Sequence, residues 1–195
     1  MLPLQINRDG KPDLMILERT SVGNLTLKFL RNTGTNYSDT NAPNSINIEY
    51  DDNQKVENQH PKVQPIDLDG DGDSELIVGP IKKDNQVYWR HYSKNNDGQY
   101  TFQQLSDLNH VYDASFVDIN GDGLADILYR KSNSNNVWGN KAKLNQNGGY
   151  TAPIVLPNPN IPEQIEGDLH HVKLVKKLAD FNGGGQADIL FEIQQ

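Results

Sequence analysis

The sequence predicts an all-β chain built from repeated four-stranded units. An acidic nine-residue motif recurs along it, each copy runs into a short apolar stretch, and no long segment carries a helical apolar period. The two fullest copies are Asp67-Leu-Asp-Gly-Asp-Gly-Asp-Ser-Glu75 and Asp118-Ile-Asn-Gly-Asp-Gly-Leu-Ala-Asp126. Asp180-Phe-Asn-Gly-Gly-Gly-Gln-Ala-Asp188 lacks the acid at position five, and Gln5-Ile-Asn-Arg-Asp-Gly-Lys-Pro-Asp13 is a worn copy. The runs that follow are Leu14 to Leu17, Leu76 to Val78, Ile127 to Tyr129 and Ile189 to Phe191.

The ninth-position acids Asp13, Glu75, Asp126 and Asp188 lie 62, 51 and 62 residues apart. Each interval holds four short strands with their turns. In the second unit these are Val63–Leu68, Glu75–Val78, Val87–Tyr92 and Tyr100–Leu105, with a turn over Lys94–Gly98. The first unit adds Leu25–Arg31 and Ile46–Tyr50, and the third Val137–Leu144 and Tyr150–Leu156. Lys173–Leu178 reads as the strand entering the last copy. The units fall near 3–56, 57–109, 110–170 and 171–195 of one domain, which makes three units and a half. Such a count predicts part of a larger ring, or two copies completing each other, ahead of a self-sufficient four-unit form, because open sheet edges are hazardous.

Oxygen-bearing side chains fall at positions one, three, five and nine, and glycine at four and six of the fullest copies. A hard cation takes six to eight oxygens, and an alternating Asp/Asn turn aims several at one centre. Position seven offers its carbonyl, so Asp73, Leu124 and Gln186 can share that slot. Position twelve is Val78 or Tyr129, where an EF-hand needs Glu, and the flanks read as strands. The pattern therefore predicts metal loops inside β-hairpins rather than EF-hands. The competing reading is a bare Asp/Gly turn. Two near-complete copies in register favour metal, since crowded carboxylates repel without a cation.

DLDGDGDSELIVG, DINGDGLADILYR and DFNGGGQADILFE resemble the FG-GAP/VCBS repeat, the unit of integrin-α-like β-propellers. The resemblance implies β-propeller blades of four antiparallel strands, about 3.5 to 4 of them, with calcium in the loop between the first two strands. It assigns Asp67, Asp69, Asp71 and Glu75 as side-chain ligands, with Asp73 through its carbonyl. Asp118, Asn120, Asp122 and Asp126 form the second set, with Leu124 through its carbonyl. Asp180, Asn182 and Asp188, and Asn7, Asp9 and Asp13, are the candidate ligands of the remaining copies, for two calcium sites and up to four. A second resemblance, carried by Asn-rich linkers and the LADILYR phrase, is to the propeller segments of bacterial SpvB/Tc-type toxin B components.

Composition narrows the function. The net charge is −8 and no basic stripe occurs, which argues against nucleic acid. No eighteen-residue apolar run suits a membrane span. The lack of cysteine excludes disulfides and thiol chemistry. His60, His91, His110, His170 and His171 form no metal-spaced cluster and are expected in solvent or turns. No nucleophile-elbow or phosphate-loop motif appears. Tyr88, Trp89, Tyr92, Tyr129 and Trp138 are expected in packing, with sugar stacking as the alternative. The expectation is a non-enzymatic, calcium-binding scaffold or recognition module of an exported bacterial protein, such as a toxin component or adhesin. It would be secreted or at the cell surface, with a protein or glycan partner. A lectin-like propeller is the alternative, and an enzyme fragment comes third.

Overall fold

The computed structural model describes residues 2–21, 23–51, 61–132, 138–146, 149–155, 173–179, 183–184 and 188–194. They form several antiparallel sheets, and among them the only helical turn is a 3-10 turn at Ser106–Leu108. No helix among them is long and apolar enough to cross a membrane. The chain divides into two compact units, Met1–Asp113 and Ala114–Gln195.

The first unit holds two sheets. One contains β1 (Leu2–Leu4), β2 (Asp13–Ser21) and β3 (Asn24–Asn32), with β4 (Tyr37–Ser38) and β5 (Ile46–Glu49) both pairing with β3. The other runs in chain order through β6 (Lys62–Ile66), β7 (Glu75–Lys83), β8 (Gln86–Lys94) and β9 (Tyr100–Gln104). Every strand predicted for these two units is present within a few residues. Pro65 lies in β6 without breaking it, because β6 is an edge strand and proline's missing N–H is tolerated there.

β7 is the central apolar strand, buried from Glu75 to Ile81. Its pairing with β8 shifts by one residue between Val78 and Ile81. There Gly79 lies under the Trp89 indole: a Cβ on Gly79 would come 2.3 Å from Trp89 Cδ2. Met15, Leu27, Phe29 and Ile48 of the first sheet share one buried cluster with Leu76, Val78, Ile81 and Tyr100 of the second.

The second unit holds β10 (Ala114–Val117), β11 (Asp126–Ser132), β12 (Trp138–Lys143) and β15 (Ile154–Val155) in one sheet. A separate hairpin joins β13 (Asn145–Gln146) to β14 (Gly149–Tyr150), and β16 (Lys173–Ala179) pairs with β17 (Asp188–Gln194). The strand expected over Tyr150–Leu156 is split between β14 and β15. Pro153, which has no N–H to give a ladder, stands between them. Phe116, Ile127, Leu128 and Tyr129 are buried in this unit.

All four acidic copies close in one register. Leu4 pairs with Asp13, Ile66 with Glu75, Val117 with Asp126 and Ala179 with Asp188. Each copy thus spans the connection between the first and second strands of its hairpin.

Gly79→Ala should destabilise the fold by about 1–3 kcal/mol, because the added methyl overlaps a buried indole ring rather than a movable side-chain tip. Urea unfolding followed by tryptophan fluorescence measures it; a change within a few tenths of a kcal/mol would show that the ring moves freely.

Candidate metal centre

The two fullest loops fold by the same hydrogen bonds. The position-one carboxylate gathers the amides of positions four and six: Gly70 and Gly72 donate to Asp67 at 2.8 and 3.0 Å, and Gly121 and Gly123 to Asp118 at 2.7 and 2.8 Å. Position three accepts from position five, in Asp71 N–H to Asp69 and Asp122 N–H to Asn120. Position five accepts from position seven, in Asp73 N–H to Asp71 and Leu124 N–H to Asp122, each at 2.8 Å. Glycine is favoured at position four because φ there is +74° at Gly70 and +81° at Gly121.

The first copy keeps only part of this pattern. Lys11 N–H donates to Asp9 at 2.9 Å, but Gln5 stands at position one, and its Oε1 is buried without a hydrogen-bond partner. Asn7 Oδ1 is likewise buried and unpartnered. Asp180 and Asn182 of the fourth copy lie outside the described residues, as does the side chain of Asp188.

The ninth-position acids behave differently from the others. Asp13 and Asp126 are fully buried, and Glu75 is 6% exposed. Asp13 accepts the Ile6 amide at 2.8 Å with one oxygen and the Asn32 amide at 2.7 Å with the other. Asp126 does the same with Ile119 at 2.8 Å and Asn145 at 2.7 Å. Glu75 accepts the Leu68 amide at 2.7 Å. Each acid thus ties the start of its loop to its second strand. In two copies it also reaches the third strand or the residues just after it. The acids are legible in the motif but their partners are not; the structure places an amide seven residues before each acid and, for Asp13 and Asp126, another nineteen after.

The exposed acids gather instead at the loop surface. Asp67, Asp69 and Asp71 each bring a carboxylate oxygen within 4.8 Å of the others. Burial, and then the charges of Asp69, Asp71 and Asp67, push the Glu75 carboxyl up to about 7 from its ordinary 4.5. Asp73 Oδ1 is buried without a hydrogen-bond partner. A divalent cation suits such a place: it supplies the charge that crowded carboxylates lack and takes oxygen atoms left without donors.

Two cationic side chains also reach this loop. Arg8 Nη2 pairs with Asp71 and its Nε lies 3.3 Å from Asp73. Lys94 Nζ lies 2.8 Å from Asp73 and donates to the Ile6 carbonyl. These residues, with Asn7 and Arg31, line a cleft of about 390 Å³ in the first unit.

A family model, the FG-GAP-like repeat, matches residues 67–129. Over that segment the chain resembles the FG-GAP-like repeat. The segment contains both of the fullest loops, and the FG-GAP resemblance drawn from them holds. No curated protein and no solved structure matches the chain significantly. Nothing in these comparisons bears on the toxin-component resemblance.

Trp89 is 3% exposed, and its Nε1–H donates to the Val111 carbonyl at 2.9 Å, so its ring is packing and offers no face to a sugar. Tyr92 and Tyr129 are buried as well, while the Trp138 side chain lies outside the described set. His110 is in a turn with φ +60°. His91, expected in solvent or a turn, sits in β8 with Nε2 buried and unpartnered, and burial lowers its pKa. His60, His170 and His171 lie outside the described residues.

Two predictions separate the roles of these acids. In EDTA, Asp126→Ala should cost about 2–5 kcal/mol, since it strands two buried amides. Asp71→Ala should change stability by less than about 1 kcal/mol, because its ion pair is part-exposed. Equal losses in denaturant unfolding would refute the division. Without a cation, folded Glu75 keeps a proton that the unfolded chain releases. Its contribution to stability is complete below about pH 4.5 and is lost as pH rises to about 7. Wild type should therefore lose stability relative to Glu75→Gln across that window in EDTA; parallel pH profiles would count against the shift.

Proposed function

We propose that this chain is a non-enzymatic, calcium-stabilised recognition or scaffold module of β-propeller type. The observation that carries the reading is the repeated acidic loop, set in one nine-residue register at the same place in four hairpins. Asp67, Asp69, Asp71 and Glu75, with the Asp73 carbonyl, would hold one calcium ion. Asp118, Asn120, Asp122 and Asp126, with the Leu124 carbonyl, would hold a second. The 5–13 and 180–188 copies are further candidates, and the unpartnered Gln5 Oε1 and Asn7 Oδ1 support the former.

Amides already hold the loop in shape, and the ninth acid is buried behind it. A carboxylate oxygen has two acceptor sites, so an amide bond on one leaves capacity for a metal. Bound calcium would supply charge neutralisation. The chain's own part is to present oxygens from a preformed turn, and so to fix the end of each hairpin. A ligating role keeps these carboxylates ionised, which disfavours acid–base catalysis.

Recognition would then fall to the surfaces that these ordered loops carry, with a protein or glycan as partner. Further units, or a second copy of the chain, would complete the ring. We place the module outside the cell, on an exported bacterial protein such as a toxin component or adhesin. Extracellular modules work with calcium affinities of about 10⁻⁴–10⁻³ M, which suits loops as exposed as these.

Thermal unfolding in EDTA and across a calcium titration tests the reading. At a calcium level of about 100 Kd each filled site should add about 2.7 kcal/mol. Asp71→Ala with Asp122→Ala should abolish the gain. A melting temperature indifferent to calcium would mean that the loops are bare turns.

A further inference from the structure

The first copy departs from the others at position four, where Arg8 stands in place of glycine. Arg8 nevertheless adopts the same left-handed backbone, with φ +55° against +74° at Gly70 and +81° at Gly121. A side chain in that region is disfavoured relative to glycine, so something must compensate. The contacts show what it gains. Its guanidinium lies on the neighbouring acidic loop, paired with Asp71 and 3.3 Å from Asp73. The two loops are also joined by their backbones, with Ser74 N–H donating to the Gln5 carbonyl at 2.9 Å and Gln5 N–H to Ser74 Oγ at 3.0 Å. Arg8 is thus delivered to Asp71 by a fixed frame.

Among the described residues, Asp122, the counterpart of Asp71, accepts from Asn120 Nδ2 at 2.9 Å and from the Leu124 amide, and has no cationic partner.

We infer that Arg8 is the tethered counter-ion of the 67–75 loop and competes with the metal ion for Asp71. This rests on the calcium reading above. A single carboxylate cannot give its full charge to both a guanidinium and a divalent ion. Metal entry therefore releases Arg8, and the 67–75 loop binds calcium more weakly than an unguarded loop of the same sequence. The worn copy has become the affinity-setting element of its neighbour. Lys94 shares Asp73 Oδ2 with Arg8 and is also held by the Ile6 carbonyl, but its ion pair is with Asp73 and not with Asp71.

The test is calcium calorimetry on the full chain carrying Asp118→Asn and Asp122→Asn, with and without Arg8→Gly or Arg8→Gln. Arg8→Gly restores the residue that the other loops carry, so it should fold. Removing the guanidinium should tighten calcium binding at 67–75 about three- to tenfold, the range that one or two part-exposed ion pairs supply. In the chain with Asp69→Asn and Asp71→Asn instead, binding at 118–126 should be unchanged by Arg8→Gly. Unchanged or weaker binding at 67–75, with 118–126 still binding, overturns the competition and leaves the calcium reading intact. No uptake by either loop in any variant overturns both.

Discussion

The buried ninth-position carboxylate is the interaction on which the repeated architecture rests. Asp13 and Asp126 each accept one amide seven residues earlier and one nineteen residues later. Those two bonds join the loop's entry, the second strand and the end of the third strand or the residues just after it around one side chain. A carboxylate can sit fully buried there because each oxygen has a backbone donor. Glu75 holds the same entry amide through a longer side chain. In that copy the third strand's last residue, Lys94, is anchored differently, by its ammonium group on Asp73 and on the Ile6 carbonyl.

From this clasp follows a division of labour among the acids. The buried ones hold the fold, while Asp67, Asp69 and Asp71 hold charge at the surface. The position-one carboxylate gathers two glycine amides and so shapes the loop. What remains unbalanced is electrostatic. Glu75 answers by keeping its proton to about pH 7, and Asp71 by taking Arg8. A cation in the loop would replace both responses. Within the chain, the proton on Glu75, Arg8 on Asp71 and Lys94 on Asp73 each offset the charge of this one loop.

Much of this was legible in the sequence and some was not, for physical reasons. The motif spacing located the hairpins because a loop that closes on its own ninth residue is a local object. The strands of the first two units were readable from β-branched and aromatic runs between turn residues. The break between β14 and β15 was missed although Pro153 marked it. The second amide of the clasp was not readable, because nothing in the side chains of Asn32 or Asn145 announces that their backbone N–H meets an acid. Trp89 drew notice as an aromatic, but its burial depends on Gly79 ten residues away and on the Val111 carbonyl. Arg8 looked like decay of the motif. Only its place beside the next loop shows what it does.

Sequence repeat and structural sheet are also out of phase. The FG-GAP-like match runs from Asp67 to Tyr129, so it takes in β7, β8 and β9 and then β10 and most of β11. The sheet that contains β7 begins earlier, at β6, and the compact units divide at Asp113 and Ala114, inside the match. A family defined by its loop is bounded at the loop, whereas a sheet is bounded where its pairing ends. Two different pressures act on the chain: spacing and oxygen-bearing residues are set by the loop, and apolar alternation is set by the sheet. The ninth acid is where they meet, since it is the last residue of the motif and the first of the second strand. That position admits no compromise between a site and a core. It closes the loop as an acceptor and starts the strand as a buried residue, and in Asp13, Glu75 and Asp126 backbone amides meet both demands.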